Sequence, residues 1–257
     1  MTTHPVLQDK VALVTGGGAG LGEATARLFA ASGASVAVAD VDVGSGERVV
    51  AHIEASGGTA LFVRTDVSRP EDVESMVEAV VEGFGRLDIA VNNAAVTPDL
   101  RPLDELDVDD WDRLMDVNLR GVALSLKYEL RQLIRQGQGG SVVNISSVRG
   151  FRGRPRSAAY VAAKHGIVGL TKVAAMENGA RGIRVNCVAP GAMDTPMLRA
   201  ALARRGQAEA DVAPDLSLLH RIGTAEEVAQ ASLWLASDCS SYVTGSTIHA
   251  DAGYTAR

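Results

Sequence analysis

The feature that most limits what this chain can fold into is a regular alternation of short β-rich apolar runs with longer segments of helical period. The runs at 11–15, 35–39, 60–63, 88–92, 141–146, 183–188 and 246–250 read as strands. Between them, 20–32, 45–55, 70–83, 109–136, 158–177 and 225–236 read as helices. Strand, helix and strand repeated in this way give βαβ units, whose strands lie parallel with helices on both faces. The expected fold is α/β, a single-domain Rossmann-like doubly wound parallel sheet of about seven strands.

No Pro/Gly/Ser-rich linker and no repeat of fixed period divides the 257 residues, so one domain accounts for the chain. The exception to the rhythm is 192–224, which holds Pro196, Pro214 and a polar helical patch. A long irregular insertion there reads either as a lid over a site or as a solvated surface excursion.

Apolar residues make up 46% and charged residues 22% of the chain, the balance of a folded globular protein. A net charge of −6 supplies no broad basic surface for a nucleic acid. Residues 1–10 are short and polar without an apolar core, and no run of about 18 apolar residues follows, so neither secretion nor a membrane span is expected. The location expected is cytoplasmic. Cys187 and Cys239 stand alone, without CxxC or Cys/His ligand spacing, and read as reduced thiols with no metal site.

The first strand runs into Thr15-Gly16-Gly17-Gly18-Ala19-Gly20-Leu21-Gly22 and then into a helix. Glycines let a backbone turn sharply and approach a pyrophosphate, whose charge is met by the helix N-terminus. Asp40, at the end of the second strand and 24 residues after Gly16, stands near the place where a carboxylate accepts adenosine ribose hydroxyls and repels a 2′-phosphate. The alternative is an Asp that opens a turn over 40–46.

Tyr160 and Lys164 are four residues apart in a helical segment, so both emerge on one face. A nearby ammonium is expected to lower the tyrosine pKa and bring its proton exchange within reach of working pH. The strand ending in Asn144-Ile145-Ser146-Ser147 places a partner for the pair at the carboxyl edge of the sheet, where doubly wound folds bind ligands.

Taken in order along nearly the whole chain, these residues resemble the short-chain dehydrogenase/reductase family. The resemblance assigns the run from Gly16 to Gly22, with Gly18, Gly20 and Leu21 inside it, to a coenzyme diphosphate, and Asp40 to the adenosine ribose of NAD. Ala19 stands where phosphate-preferring relatives carry a basic residue. Asp66-Val67 resembles the family's adenine-contacting pair, and Asn92-Asn93-Ala94-Ala95 its NNAG element, with Asn93 and Ala94 at the coenzyme and Ala95 replacing glycine. Asn118 matches an asparagine that holds a water of the proton relay; the alternative is a structural helix kink. Ser147, 13 residues before Tyr160, matches the serine that polarises the substrate, with Ser146 as its neighbour. Pro190-Gly191 with Thr195 resembles the element that holds the nicotinamide carboxamide, which makes 192–224 the substrate lid. Asp251-Ala252-Gly253 departs from the family's DGG.

The implied catalytic set is Asn118, Ser147, Tyr160 and Lys164, with Tyr160 and Lys164 also touching the coenzyme. The implied activity is hydride transfer between NAD(H) and a small secondary alcohol or ketone, in a homotetramer or homodimer paired through 109–136 and 158–177. Met176-Glu177-Asn178, 194–198 and Lys127-Tyr128-Glu129 are similar to relatives that oxidise cyclic alcohols and dihydrodiols. The alternatives are an NADPH-dependent reductase of carrier-bound 3-oxoacyl groups and a catalytically silent coenzyme-binding sensor. Arg149, Arg152, Arg154 and Arg156 flank the chemistry with no acidic residue among them, either to reach an anionic or hydroxyl-rich substrate or to face solvent.

Overall fold

The computed structural model describes residues 6–256, so 1–5 of the polar N-terminal stretch lie outside the described residues. Strands β1 (Val11–Thr15), β2 (Ser35–Asp40), β3 (Thr59–Arg64), β4 (Ile89–Asn92), β5 (Gly140–Ile145), β6 (Ile183–Pro190) and β7 (Thr247–Ala250) form one sheet in the order β3-β2-β1-β4-β5-β6-β7. Every pairing is parallel. The helices are α1 (Gly20–Ala31), α2 (Val43–Ala55), α3 (Pro70–Phe84), α4 (Val108–Met115), α5 (Gly121–Gln136), α6 (Ala158–Asn178), α7 (Pro196–Arg205), α8 (Glu209–Leu216) and α9 (Ala225–Ala236).

The strands alternate side chains between two cores, which is why they read as continuous apolar runs. Ala12 and Val14 of β1 face a core shared with Phe29 of α1, Val49 of α2 and Leu235 of α9. Val11 and Leu13 face the other, built on Met76 of α3, Leu133 of α5 and Ile167 of α6. Strand order reverses between β1 and β4, so the loops leaving Thr15 and Asn92 diverge and leave a crevice at the carboxyl edge.

Two elements differ from the sequence expectation. The segment 109–136 is not one helix: a π-helical turn, Asp116–Arg120, separates α4 from α5. Only Gly121, at the end of the turn, marks this break in sequence, and the contact that holds the turn is tertiary. The Asn118 side chain inside the turn bonds the backbone of Val96, with Val96 N–H donating to Oδ1 at 2.8 Å and Nδ2 donating to the Val96 carbonyl at 3.2 Å. The insertion 192–224 is not irregular either, since it carries α7 and α8. Thr195 caps α7 by accepting from Leu198 N–H, and Pro196 at the first turn costs no hydrogen bond, so a residue that reads as a breaker starts a helix here. No helix among the described residues is long and apolar enough to cross a membrane. Cys187 is buried and Cys239 exposed, and both are free thiols.

Candidate active site

A cleft of about 910 Å³ opens over the β1/β4 crevice, bordered at one end by the glycine loop and Asp40 and at the other by Ser147, Tyr160, α7 and α8. Its floor at the first end needs glycine. Gly16 has φ +62°, and a Cβ there would lie 2.8 Å from Ala94 Cα. A Cβ on Gly22 would fall 2.0 Å from the Gly16 carbonyl oxygen, so the N-terminus of α1 approaches the turn as only glycine allows.

The loop is held from beneath. Thr15 Oγ1 accepts from the N–H groups of Asn93 (3.0 Å) and Ala94 (3.2 Å), while Asn93 Nδ2 donates to the carbonyls of Thr15 (3.0 Å) and Gly16 (3.1 Å). The Asn93 side chain therefore braces the loop, and the open groups at this end are Gly20, Leu21 and the backbone around them. Asp40 also borders the cleft, with Oδ2 accepting from Gly18 N–H at 2.9 Å and Oδ1 from Asp42 N–H at 3.0 Å. Asp66 and Val67 line the same wall, although Asp66 Oδ1 is already taken by the Ser68 N–H and hydroxyl.

One residue at this end was not legible in the sequence. Arg48 of α2 donates to the Gly18 carbonyl at 2.9 Å and holds both oxygens of Glu23 at 2.8 and 2.7 Å. Glu23 and Arg48 are 25 residues apart and meet only because α1 and α2 share a face of the sheet.

At the other end, Lys164 is buried at 3% exposure and its Nζ donates to the Ile145 carbonyl at 2.9 Å. The same ammonium lies 5.6 Å from the centre of the Tyr160 ring. Ser147 hydrogen-bonds Tyr160, and its Oγ accepts from Arg149 N–H at 3.1 Å. Ser146 has another role: its hydroxyl donates to the Lys164 carbonyl at 2.8 Å and fixes α6 against β5. Asp99, from the loop after β4, accepts from the backbone N–H groups of Ala159 and Tyr160 at 3.3 Å each. A carboxylate 60 residues away in sequence thus caps the helix that presents Tyr160, a contact no local pattern announces.

The expected depression of the Tyr160 pKa is not what this arrangement gives. Burial pushes the phenol above its usual value, and the opposing influences are the Ser147 hydrogen bond and the charges of Arg149 and Arg154. Lys164 spends its short contact on the Ile145 carbonyl, and burial pulls its own pKa down to about 8. Asn118 is wholly buried with both ends of its amide satisfied by Val96, so the kink read as its alternative role is physically present.

Beyond the tyrosine, Pro190 and Gly191 end β6 at the cleft, and Thr195 opens the covering segment. Met197, Leu198, Leu202, Val212 and Leu216 of that segment give the cleft an apolar wall. Of the four clustered arginines, only Arg149 and Arg154 are among its lining. Arg152 donates to the Tyr254 carbonyl at 3.0 Å, and Arg156 is exposed.

Comparison with known proteins agrees with this geometry. The family profile described as Enoyl-(Acyl carrier protein) reductase matches residues 16–255. Short chain dehydrogenase/reductase astE of Aspergillus oryzae is 52% identical over 96% of this chain and 95% of its own length. A 2,5-dichloro-2,5-cyclohexadiene-1,4-diol dehydrogenase of Sphingobium indicum is 46% identical over 97% and 98%. The crystal structure of levodione reductase superposes with a TM-score of 0.92 at 39% identity, covering 97% of this chain and 99% of that one. By sequence, fold and site, the chain belongs to the short-chain dehydrogenase/reductase family.

Proposed function

We propose that this oxidoreductase of secondary alcohols and ketones uses NAD(H) and acts on a cyclic alcohol or dihydrodiol. The observation that carries the reading is the single cleft with a glycine loop and Asp40 at one end and Ser147, Tyr160 and Lys164 at the other. The residues fit a dinucleotide: the cradle excludes any Cβ at Gly16 and Gly22, and a carboxylate stands at the end of β2. Gly16, Gly18, Gly20, Leu21 and Gly22 would face the diphosphate, Asp40 the ribose, Asp66 and Val67 the adenine. Asn93, Ala94, Pro190, Gly191 and Thr195 would border the nicotinamide half. When bound, nicotinamide supplies or accepts the hydride.

In oxidation the Tyr160 phenolate takes the proton of the substrate hydroxyl and becomes the phenol, and Ser147 hydrogen-bonds the reacting oxygen as charge develops on it. Lys164 steadies the phenolate from beneath the ring. The π turn that carries Asn118 would hold the water that carries the proton away. The NADP reading has one structural foothold in Arg48, which stands at Gly18 but is neutralised by Glu23.

The cleft lining combines apolar side chains of α7 and α8 with the guanidiniums of Arg149 and Arg154 beside Ser147, which suits a ring compound bearing a second hydroxyl or an anionic group. Arg149→Ala or Arg154→Ala is expected to raise KM for the true substrate about 10-fold while leaving NADH affinity unchanged. A panel of cyclic alcohols, diols, sugars and hydroxy acids assayed for NADH formation identifies that substrate. KM values unchanged in both variants would return these arginines to a solvated loop.

We place the enzyme in the cytoplasm as a homotetramer. Val173 and Met176 on α6 are 52% and 85% exposed, an apolar stripe with no cover inside the protomer. Sedimentation at micromolar concentration is expected to show a multimer, and substituting both residues by Lys should release smaller species.

A further inference from the structure

Glu129 of α5 is completely buried, and no role in the chemistry above accounts for a carboxyl there. Its Oε2 accepts from Asn92 Nδ2 at 3.0 Å. Asn92 Nδ2 also donates to Asn144 Oδ1 at 3.0 Å, and Asn144 Nδ2 donates to Thr171 Oγ1 at 2.9 Å. Asn92 and Asn144 are cross-strand partners in the β4/β5 register, so the network ties two strands to α5 and α6. Its amide hydrogens are spent, yet two buried atoms have no partner: Asn92 Oδ1 and Glu129 Oε1.

These two atoms belong to the same contacting pair. Both are acceptors if the carboxyl is ionised, and two buried acceptors left without a donor are doubly unfavourable. A single proton on Oε1 turns it into a donor to Oδ1, and the acid and the amide then complete an eight-membered ring of two hydrogen bonds.

Among the described residues none offers Glu129 a counter-charge. On α5 itself Lys127 lies over the Tyr128 ring, and Arg131 pairs with Glu74 of α3 on the outside. Glu78 of α3 and Lys172 of α6 are exposed, and Lys164 is directed to the Ile145 carbonyl. β4 and β5 present only their asparagines. Burial alone pushes the carboxyl up to about 7, against the lowering influence of the Asn92 amide.

The ring sits one residue behind two parts of the site. Asn92 precedes Asn93, which braces the Thr15 and Gly16 carbonyls, and Asn144 precedes Ile145, whose carbonyl holds Lys164. We propose that Glu129 is a positioning residue that stands protonated, closing a ring with the Asn92 amide and so fixing the ends of β4 and β5 from which Asn93 and Lys164 are held. The positioning part rests on the site reading given above; the protonated state does not.

The wild-type protein labelled with ¹³C at glutamate carboxyls should show one protonated side chain at pH of about 6 that titrates near 7 and is missing from Glu129→Gln. The unfolded chain releases this proton near 4.5 and the folded chain near 7, so the stability it contributes is fully present below the first value. It is lost as pH rises to the second. Gln offers the same donor and acceptor without titrating, though it brings one extra N–H, so the readout is the slope with pH and not absolute stability. Wild-type Tm should therefore fall relative to Glu129→Gln between pH of about 5 and 8. At pH of about 6, Glu129→Gln should keep kcat within about threefold of wild type while Glu129→Ala, which strands the amide, loses about tenfold or more. Should the Ala variant not fold, the titration and the slopes still decide the protonated state, and Glu129→Met, which fills the space without a hydrogen bond, supplies the kcat comparison for the positioning role. An ionised Glu129 at pH 6, or equal slopes in wild type and Glu129→Gln, would overturn the protonated ring. Wild-type kcat in a folded Glu129→Ala would overturn the positioning role.

Discussion

Tyr160→Phe is expected to lower turnover at least about 100-fold while changing NADH affinity by no more than a few-fold. The substitution removes one oxygen and keeps the ring that Lys164 underlies at 5.6 Å, so the shape of the cleft survives. It takes away the group proposed to exchange a proton with the substrate, and the partner of Ser147. General acid–base groups contribute about 10² to 10⁴ in rate, which sets the lower bound. A second signature follows from the direction of the phenol's shift. Burial holds the pKa above its usual value, so the unprotonated form needed for oxidation grows as pH is raised. Wild-type oxidation should accelerate with pH through the alkaline range, and the residual rate of Tyr160→Phe should not. Fluorescence titration with NADH and initial rates at several pH values measure both parts. Turnover within a few-fold of wild type would remove Tyr160 from the chemistry.

The sheet was legible because its five inner strands are buried on both faces and leave apolar runs between helical segments. Asp40 and Thr15 end their strands where the pattern breaks, and the crevice between the ends of β1 and β4 follows from strand order. What escaped the sequence depends on contacts between distant segments. The π turn is selected by the backbone of Val96, 22 residues from Asn118, so helical period across 109–136 gives no sign of it. α7 and α8 lack a strong apolar stripe because they cover a cleft, and their two prolines hide them further.

The same division runs through the site. The order and spacing of glycines, Ser147, Tyr160 and Lys164 marked the two ends of the cleft, because these residues lie toward the ends of secondary structures at the carboxyl edge. Their supports were not marked. Asp99 capping α6, Asn93 spent on two carbonyls, Arg48 held by Glu23 and Glu129 buried behind Asn92 are each defined by a partner at least 25 residues away. Glu129 lies in a helix that also carries Lys127 and Arg131, and a charged neighbourhood in sequence disguises an uncharged one in space. The direction of the Tyr160 shift was misjudged for a related reason. Sequence spacing places an ammonium near the phenol but cannot weigh it against burial, which prevails here.

Coenzyme preference offers the second large effect: kcat/KM with NAD is expected to exceed that with NADP on the order of 100-fold. A charge-assisted hydrogen bond contributes about 1.5 to 3 kcal/mol, and 1.4 kcal/mol is tenfold, so losing the ribose contact to Asp40 already costs roughly 10- to 100-fold. Repulsion between the carboxylate and a 2′-phosphate adds to this. Asp40→Ala tests the idea poorly alone, since Oδ2 also accepts from Gly18 N–H at 2.9 Å and its loss would loosen the loop for both coenzymes. Asp40→Asn separates the two effects, because the amide oxygen can keep the Gly18 bond while the charge is gone. The expected result is a modest loss with NAD, a gain with NADP, and a ratio narrowed about tenfold or more. Arg48 sharpens the experiment further. Its guanidinium reaches the Gly18 carbonyl but is held by both oxygens of Glu23, whose pKa it lowers. Glu23→Gln in the Asp40→Asn background should free that cation toward a 2′-phosphate and raise kcat/KM with NADP again. A wild-type enzyme that prefers NADP would show that Asp40 serves the glycine loop alone, and that Arg48 already meets the phosphate despite its carboxylate partner.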